Sequence, residues 1–243
     1  MIVNYKANGW QIIAQRSHGL LAAQICARWK LSDQLVRWVD ILIATAEHDD
    51  VFNELECGPL VNANGGPVDF KMNNFDENLS TQLINRAEMK GSFIALLVSR
   101  HIAFTHGNEP KAKKFLLYLQ KKEKYWLKSS KVSEAEVNRA YELLEFCDAL
   151  SLIICQEIIP PEGRKVEIGQ GPTGTTYELF MENDCLVISP WPFEISEFNV
   201  DYECRHLDKL TFSNDKAFRA AFEKAEVVQI GLKFKNLQDS AKA

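Results

Sequence analysis

Several features are scarce in this sequence, and each absence removes a class of protein. No apolar run approaches the roughly 20 residues that a membrane-crossing helix needs. The opening MIVNYKANGW lacks the basic and then apolar layout of a secretory signal, so a cytoplasmic protein without a membrane partner is expected. Positive charge is in deficit: 28 Lys and Arg stand against 33 Asp and Glu, a formal net charge of -5. A nucleic-acid groove is therefore not expected as the main function, because neutralising phosphates needs a concentrated positive surface. The six cysteines, at 26, 57, 147, 155, 185 and 204, contain no CxxC pair and are too sparse for a disulfide framework, so they read as reduced core residues. GQGPTGTT at 169–176 has three glycines but no Gly-Lys-Ser/Thr, and neither GxSxG nor HExxH occurs, which removes the phosphate-loop, serine-hydrolase and HExxH metalloprotease motifs.

What remains is an ordinary globular composition, 46% hydrophobic and 25% charged, in a chain long enough to bury a large core as one domain or a domain with an appendage. Alternation at Met1 to Tyr5 and Trp10 to Gln15, around Ala7-Asn8-Gly9, predicts an N-terminal hairpin. Helical spacing begins at Ser17 through Leu21, Ala22, Ile25 and Trp29, and a second helix is expected after Ser32-Asp33, running towards His48. Residues 57 to 76, rich in Gly, Pro and Asn, read as a long loop of the kind that often carries function. Helical periodicity resumes near Glu77 and runs through FIALLV to about His101; further helices are expected over 110–127 and from the Ser133-Glu136 capping box to before Pro160-Pro161. Beyond the prolines the chain reads as strands at 166–168, 175–181, 185–189, 198–204 and 226–234, with Asn183-Asp184 as a tight turn and a short helix capped by Asn214 or Asp215. The expectation is a mainly α protein: a helical domain over 1–160 with its hairpin, and a small β-rich appendage over 161–243 that can recruit the hairpin into its sheet.

Three of the five histidines, His18, His48 and His101, fall on apolar stripes of separate predicted helices, and Asp148 sits likewise among Tyr141, Leu144, Leu152 and Cys155. A lone carboxylate there is costly unless a cation or donor answers it. One divalent metal, Mn, Fe, Zn or Mg, satisfies His18, His48, Asp49 and Asp148 together, because imidazoles and carboxylates projected from several helices can meet at a point. His101 is a fifth ligand candidate. His106 and His206 read as surface or loop residues, the lysines at 111–124 as a solvated helix face, and Cys147 as packing.

The order His18, then His48-Asp49, then Asp148 resembles the metal signature of the HD superfamily, mostly metal-dependent phosphohydrolases, and EFCDALSLIIC around Asp148 is similar to that superfamily's final-aspartate helix. The resemblance implies an HD-like helical bundle. More narrowly, MIVN, IIAQRSHGLLAAQI, the HDD segment before a Gly-Pro loop and the β-rich end look like a mainly bacterial family known as a domain of unknown function. The chain departs from that family's pattern at Val51-Phe52, where Gly-Trp is expected. The function implied is phosphohydrolysis of a small phosphorylated metabolite or nucleotide. Asp49 would serve in catalysis; Glu47, Asp50 or Glu56 would orient the water; and Arg16, Arg100 or Lys121 would clamp phosphate. The alternatives are a di-iron oxygenase and a non-catalytic metal-containing sensing module. A homodimer is left open.

Overall fold

The computed structural model describes residues 1–50, 54–56 and 58–237, so Val51-Phe52 and Cys57 lie outside the described residues. Among the described residues the order is β1 (Ile2–Lys6), β2 (Gly9–Ile13), α1 (Gln15–Cys26), α2 (Trp38–Glu47), α3 (Glu77–Lys90), α4 (Ser92–His106), α5 (Lys113–Ser130), α6 (Glu134–Cys155), β3 (Val166–Gln170), β4 (Thr176–Glu182), β5 (Cys185–Ser189), β6 (Glu197–Leu207), α7 (Asp215–Lys224) and β7 (Val227–Lys235). None of these helices is long and apolar enough to cross a membrane.

The local chemistry explains most boundaries. Ser133 accepts from the Glu136 amide while the Glu136 carboxylate accepts from the Ser133 amide, so α6 starts on a complete capping box. Asn183 and Asp184 both take positive φ, 49° and 59°, as the two-residue turn between β4 and β5 requires. Two helices begin or end where the sequence pattern did not place them. Ser32-Asp33 close only a short turn, and α2 starts at Trp38 behind Arg37, whose guanidinium bonds Asp40 and the Ser130 carbonyl. The single helical run expected from Glu77 to His101 is two helices, because Gly91 at φ 157° stops α3 and the chain restarts at Ser92.

The mainly helical bundle with a small β-rich appendage is overturned. Helix makes up 48% and strand 22%, and all seven strands join one curled mixed sheet, a half-barrel, in the order β1-β2-β6-β7-β5-β4-β3. The hairpin does join the C-terminal strands, as expected, β2 meeting β6 through Trp10↔Leu207 and Ile12↔Arg205; the bundle expectation failed because the sheet so formed is a main layer of the fold and not an appendage, a weight that local periodicity does not display. The junction at 160/161 lies between α6 and β3, and strands from both sides of it share the sheet. Helices pack on that sheet. Phe146 of α6 meets Trp29 at 5.3 Å and Tyr177 of β4 at 5.0 Å between ring centroids, inside one apolar core that joins helices to strands.

Helix α1 holds the central place, touching α2, α6 and β6. Gly19 permits this: a Cβ there would lie 2.6 Å from the Ala46 carbonyl oxygen of α2. That close approach brings the residue before Gly19 against the end of α2, and it is there that the polar residues of the core gather.

Candidate metal centre

His18 enters from α1, His48 is the C-cap of α2, Asp49 follows in the next turn, Asp148 comes from α6 and His101 from α4. His48 and Asp49 thus lie at the carbonyl end of α2, where the helix dipole favours positive charge, rather than within its span. His18 and His48 are fully buried, His101 and Asp148 nearly so, and Asp49 keeps 31% of its side chain in solvent. The cluster is therefore closed on the α1 side and open towards Asp49.

The donor atoms converge. His48 Nε2 lies 3.1 Å from Asp148 Oδ1 and 3.6 Å from Asp49 Oδ2; His18 Nε2 lies 3.7 Å and 3.5 Å from the same two oxygens. Donors about 2.0–2.2 Å from a common ion sit roughly 3.0–3.5 Å from one another, so the spacing matches a coordination shell. The tautomers suit it too. His48 Nδ1 donates to the Thr45 carbonyl at 2.8 Å, and His18 Nδ1 donates at 2.8 Å to Ser151 Oγ, which itself donates to the Asp148 carbonyl. In the neutral rings both lone pairs are left on Nε2, aimed at the carboxylates, the arrangement in which an outer partner fixes a metal-binding histidine.

Among the described residues, His18 Nε2, His48 Nε2 and Asp148 Oδ1 find no hydrogen-bond partner although they are buried. Such atoms are rare in a folded interior because each costs its lost solvation. With both imidazoles neutral, the two carboxylates leave two negative charges uncompensated, which a divalent cation cancels. The residues present therefore fit a divalent metal. His101 joins through the other oxygen of Asp49, its Nε2 3.3 Å from Oδ1, and its ring stacks edge-on to His48 at 4.6 Å. Among the described residues two donor trios result, His18/His48/Asp49 and His48/His101/Asp148.

Without an ion, a proton on His48 answers part of the same charge. Burial works against a charged His48, yet Asp148 and Asp49 outweigh it and hold the imidazole up at about 9. Burial likewise opposes charge on Asp49 and Asp148, but His48 and the other histidines keep both below the usual carboxylate range. Ser151→Ala is expected to weaken divalent-metal binding by about 10–100-fold with helix content unchanged, because it frees the His18 ring from its orienting partner. A metal titration beside a circular dichroism spectrum checks this.

The remaining expected site residues lie outside the donor set. Arg16 pairs with Asp50 at 2.5 Å, which Arg86 also approaches, and Glu56 is exposed in the short turn 54–56. Arg100 pairs with Glu123, Glu47 with Lys90 and His106 with Glu109, while Lys121 is exposed on α5. His206 stands beside Cys204 on β6. Among the described residues, the Gly- and Pro-rich stretch 58–76 contributes no donor; its residues 60 and 61 donate to Asp215 at the start of α7. Sequence reasoning missed Gln15, which donates to Asp49 Oδ2 at 3.0 Å, as well as Ser151, Tyr141 and Glu145. Gln15 gave no signal, whereas Tyr141, Glu145 and Asp148 share one helical face by spacing.

No curated protein and no solved structure matches the chain. Residues 1–209 match a family described as a protein of unknown function, DUF3891, and the chain belongs to that family.

Proposed function

We propose that this chain is a metal-dependent phosphohydrolase acting on a small phosphorylated molecule. The observation that carries the reading is the convergence of two buried imidazole nitrogens and a buried carboxylate oxygen, all without hydrogen-bond partners among the described residues, beside a carboxylate partly open to solvent. A set of nitrogen and oxygen donors without thiolate suits Mn, Fe, Zn or Mg. His18, His48, Asp49 and Asp148 would hold the ion. When bound, such an ion acidifies a water and polarises a phosphoryl oxygen. The resemblance of the donor order to that of the HD superfamily supports the reaction class; it concerns the ligands and not the fold.

The chain's own residues divide the remaining work. Gln15 fixes one oxygen of Asp49, and the exposed edge of that carboxylate faces the approach, where it can orient a water. The dry walls around His18 and His48 keep competing water from the donors and strengthen each charge inside. Arg16 and Arg86 together carry more N–H donors than the Asp50 carboxylate can accept, a surplus suited to a phosphate tail.

The test is phosphate release from a panel of phosphomonoesters, phosphodiesters and nucleotides by protein loaded in turn with each of the four metals. Release with at least one metal, lost in Asp49→Ala, is expected; stoichiometric metal with no release across the panel overturns hydrolysis. One observation favours a second reading, a di-iron oxygenase: Asp49 offers Oδ2 to His18 and His48 and Oδ1 to His101, as a carboxylate between two ions would. An iron-dependent absorption band with oxygen uptake would select it.

A further inference from the structure

Tyr141 lies on α6 two turns before Asp148, on the face that also carries Glu145, and its buried hydroxyl finds no hydrogen-bond partner among the described residues. Its ring centroid stands 6.4 Å from that of His101 and 6.4 Å from that of Phe104, both on α4. Phe104 is 59% exposed and His101 only 5%. The rings of Phe104, Tyr141, His101 and His48 therefore run from solvent to the donor set, and Tyr141 stands at the threshold.

The surroundings narrow what the hydroxyl is for. Burial first, and then the charges of Glu145, Asp148 and Asp49, hold the phenol protonated at any physiological pH, so it acts as a fixed donor facing an acidic cluster. No carboxylate in that cluster takes the O–H. A buried donor left unpaired is expensive, and a ligand that supplies an acceptor removes the cost. Among acceptors, an oxyanion at the centre gains most, since its charged oxygens meet a donor that cannot become a competing anion.

We propose that Tyr141 is a substrate-binding residue whose O–H donates to a phosphoryl oxygen held at the His18/His48/Asp49/Asp148 centre. This rests on the phosphohydrolase reading and adds to it the group that recognises the anion. The experiment compares the full-length wild type with Tyr141→Phe, both loaded with Mn²⁺, in titrations with inorganic phosphate, alongside metal content and thermal midpoint. The expected result is metal content as in the wild type, a midpoint equal or higher because the orphan donor is gone, and phosphate affinity weaker by about 10-fold or more, as for a hydrogen bond to a charged partner. Equal phosphate affinity in the two proteins overturns the assignment and leaves the phosphohydrolase reading standing. Loss of metal or of folding in Tyr141→Phe overturns it in favour of a structural role. A wild type that holds metal but binds no phosphate overturns both.

Discussion

Asp148→Ala is expected to give a folded protein that no longer retains a divalent ion, with affinity lower by at least about 1000-fold. Removing an outer partner of a metal ligand already costs 10–100-fold, and Asp148 is proposed as a direct ligand bearing one of the two charges that answer the cation. Its Oδ1 lies 3.1 Å from His48 Nε2, closer than the 3.6 Å of Asp49 Oδ2, and its own environment is nearly dry, so solvent does not take over its charge. The readout needs no substrate. Elemental analysis of protein purified without chelator or affinity metal should find the ion in the wild type and none in the variant. Added metal at about 1000 times its dissociation constant should stabilise the wild type by roughly 4 kcal/mol, or about 8–16 °C for a chain of this size, and leave the variant unmoved. Asp148→Asn, which keeps the shape and deletes the charge, should behave like the alanine variant. Stoichiometric metal in either one would remove Asp148 from the centre.

The donors were legible because they break a local rule. His18, His48 and Asp148 occupy positions that the helical period assigns to apolar residues, and a polar side chain in such a place declares a cost that something must offset. The residues that orient them were not legible in the same way. Ser151 sits one turn beyond Asp148 and looks like any small core residue, and Gln15 opens α1 with no periodic context; each matters only through what lies across the fold. The same contrast divides the architecture. Local signals placed the hairpin, the capping box at Ser133 and the Asn183-Asp184 turn close to where they stand. That the hairpin could join the C-terminal strands was legible, but the strand order was not, since it rests on pairings between remote segments, and the continuous sheet turns an expected bundle into helices on a half-barrel. Arg16 was expected as a phosphate clamp for its bidentate guanidinium, and chemistry alone does not fix direction: it is two residues from His18, about 200° round α1, and turns to Asp50.

Between pH 6.5 and 9 the metal-free protein is expected to lose stability, and the metal-loaded protein is not. The cause is His48. Its folded value is raised from 6.5 to about 9 by Asp148 and Asp49, against the opposing effect of burial. A group whose folded pKa exceeds its unfolded one binds its proton more tightly in the native state. Its contribution is therefore complete below pH 6.5 and disappears as the pH climbs through about 9, at a slope of up to roughly 1.4 kcal/mol per unit. An ion needs the lone pair that this proton occupies, so metal and proton compete for one nitrogen. Binding near pH 7.5 should expel about one proton from His48, and apparent affinity should rise close to tenfold per unit until about pH 9. Urea midpoints of metal-free protein across that range measure the first effect, and calorimetric titrations in two buffers of different ionisation enthalpy measure the second. In His48→Gln both slopes should flatten. A metal-free protein equally stable from pH 6.5 to 9, or metal uptake without proton release, would mean that His48 does not carry a proton between the two carboxylates, and the case for a cation replacing that proton would fall with it.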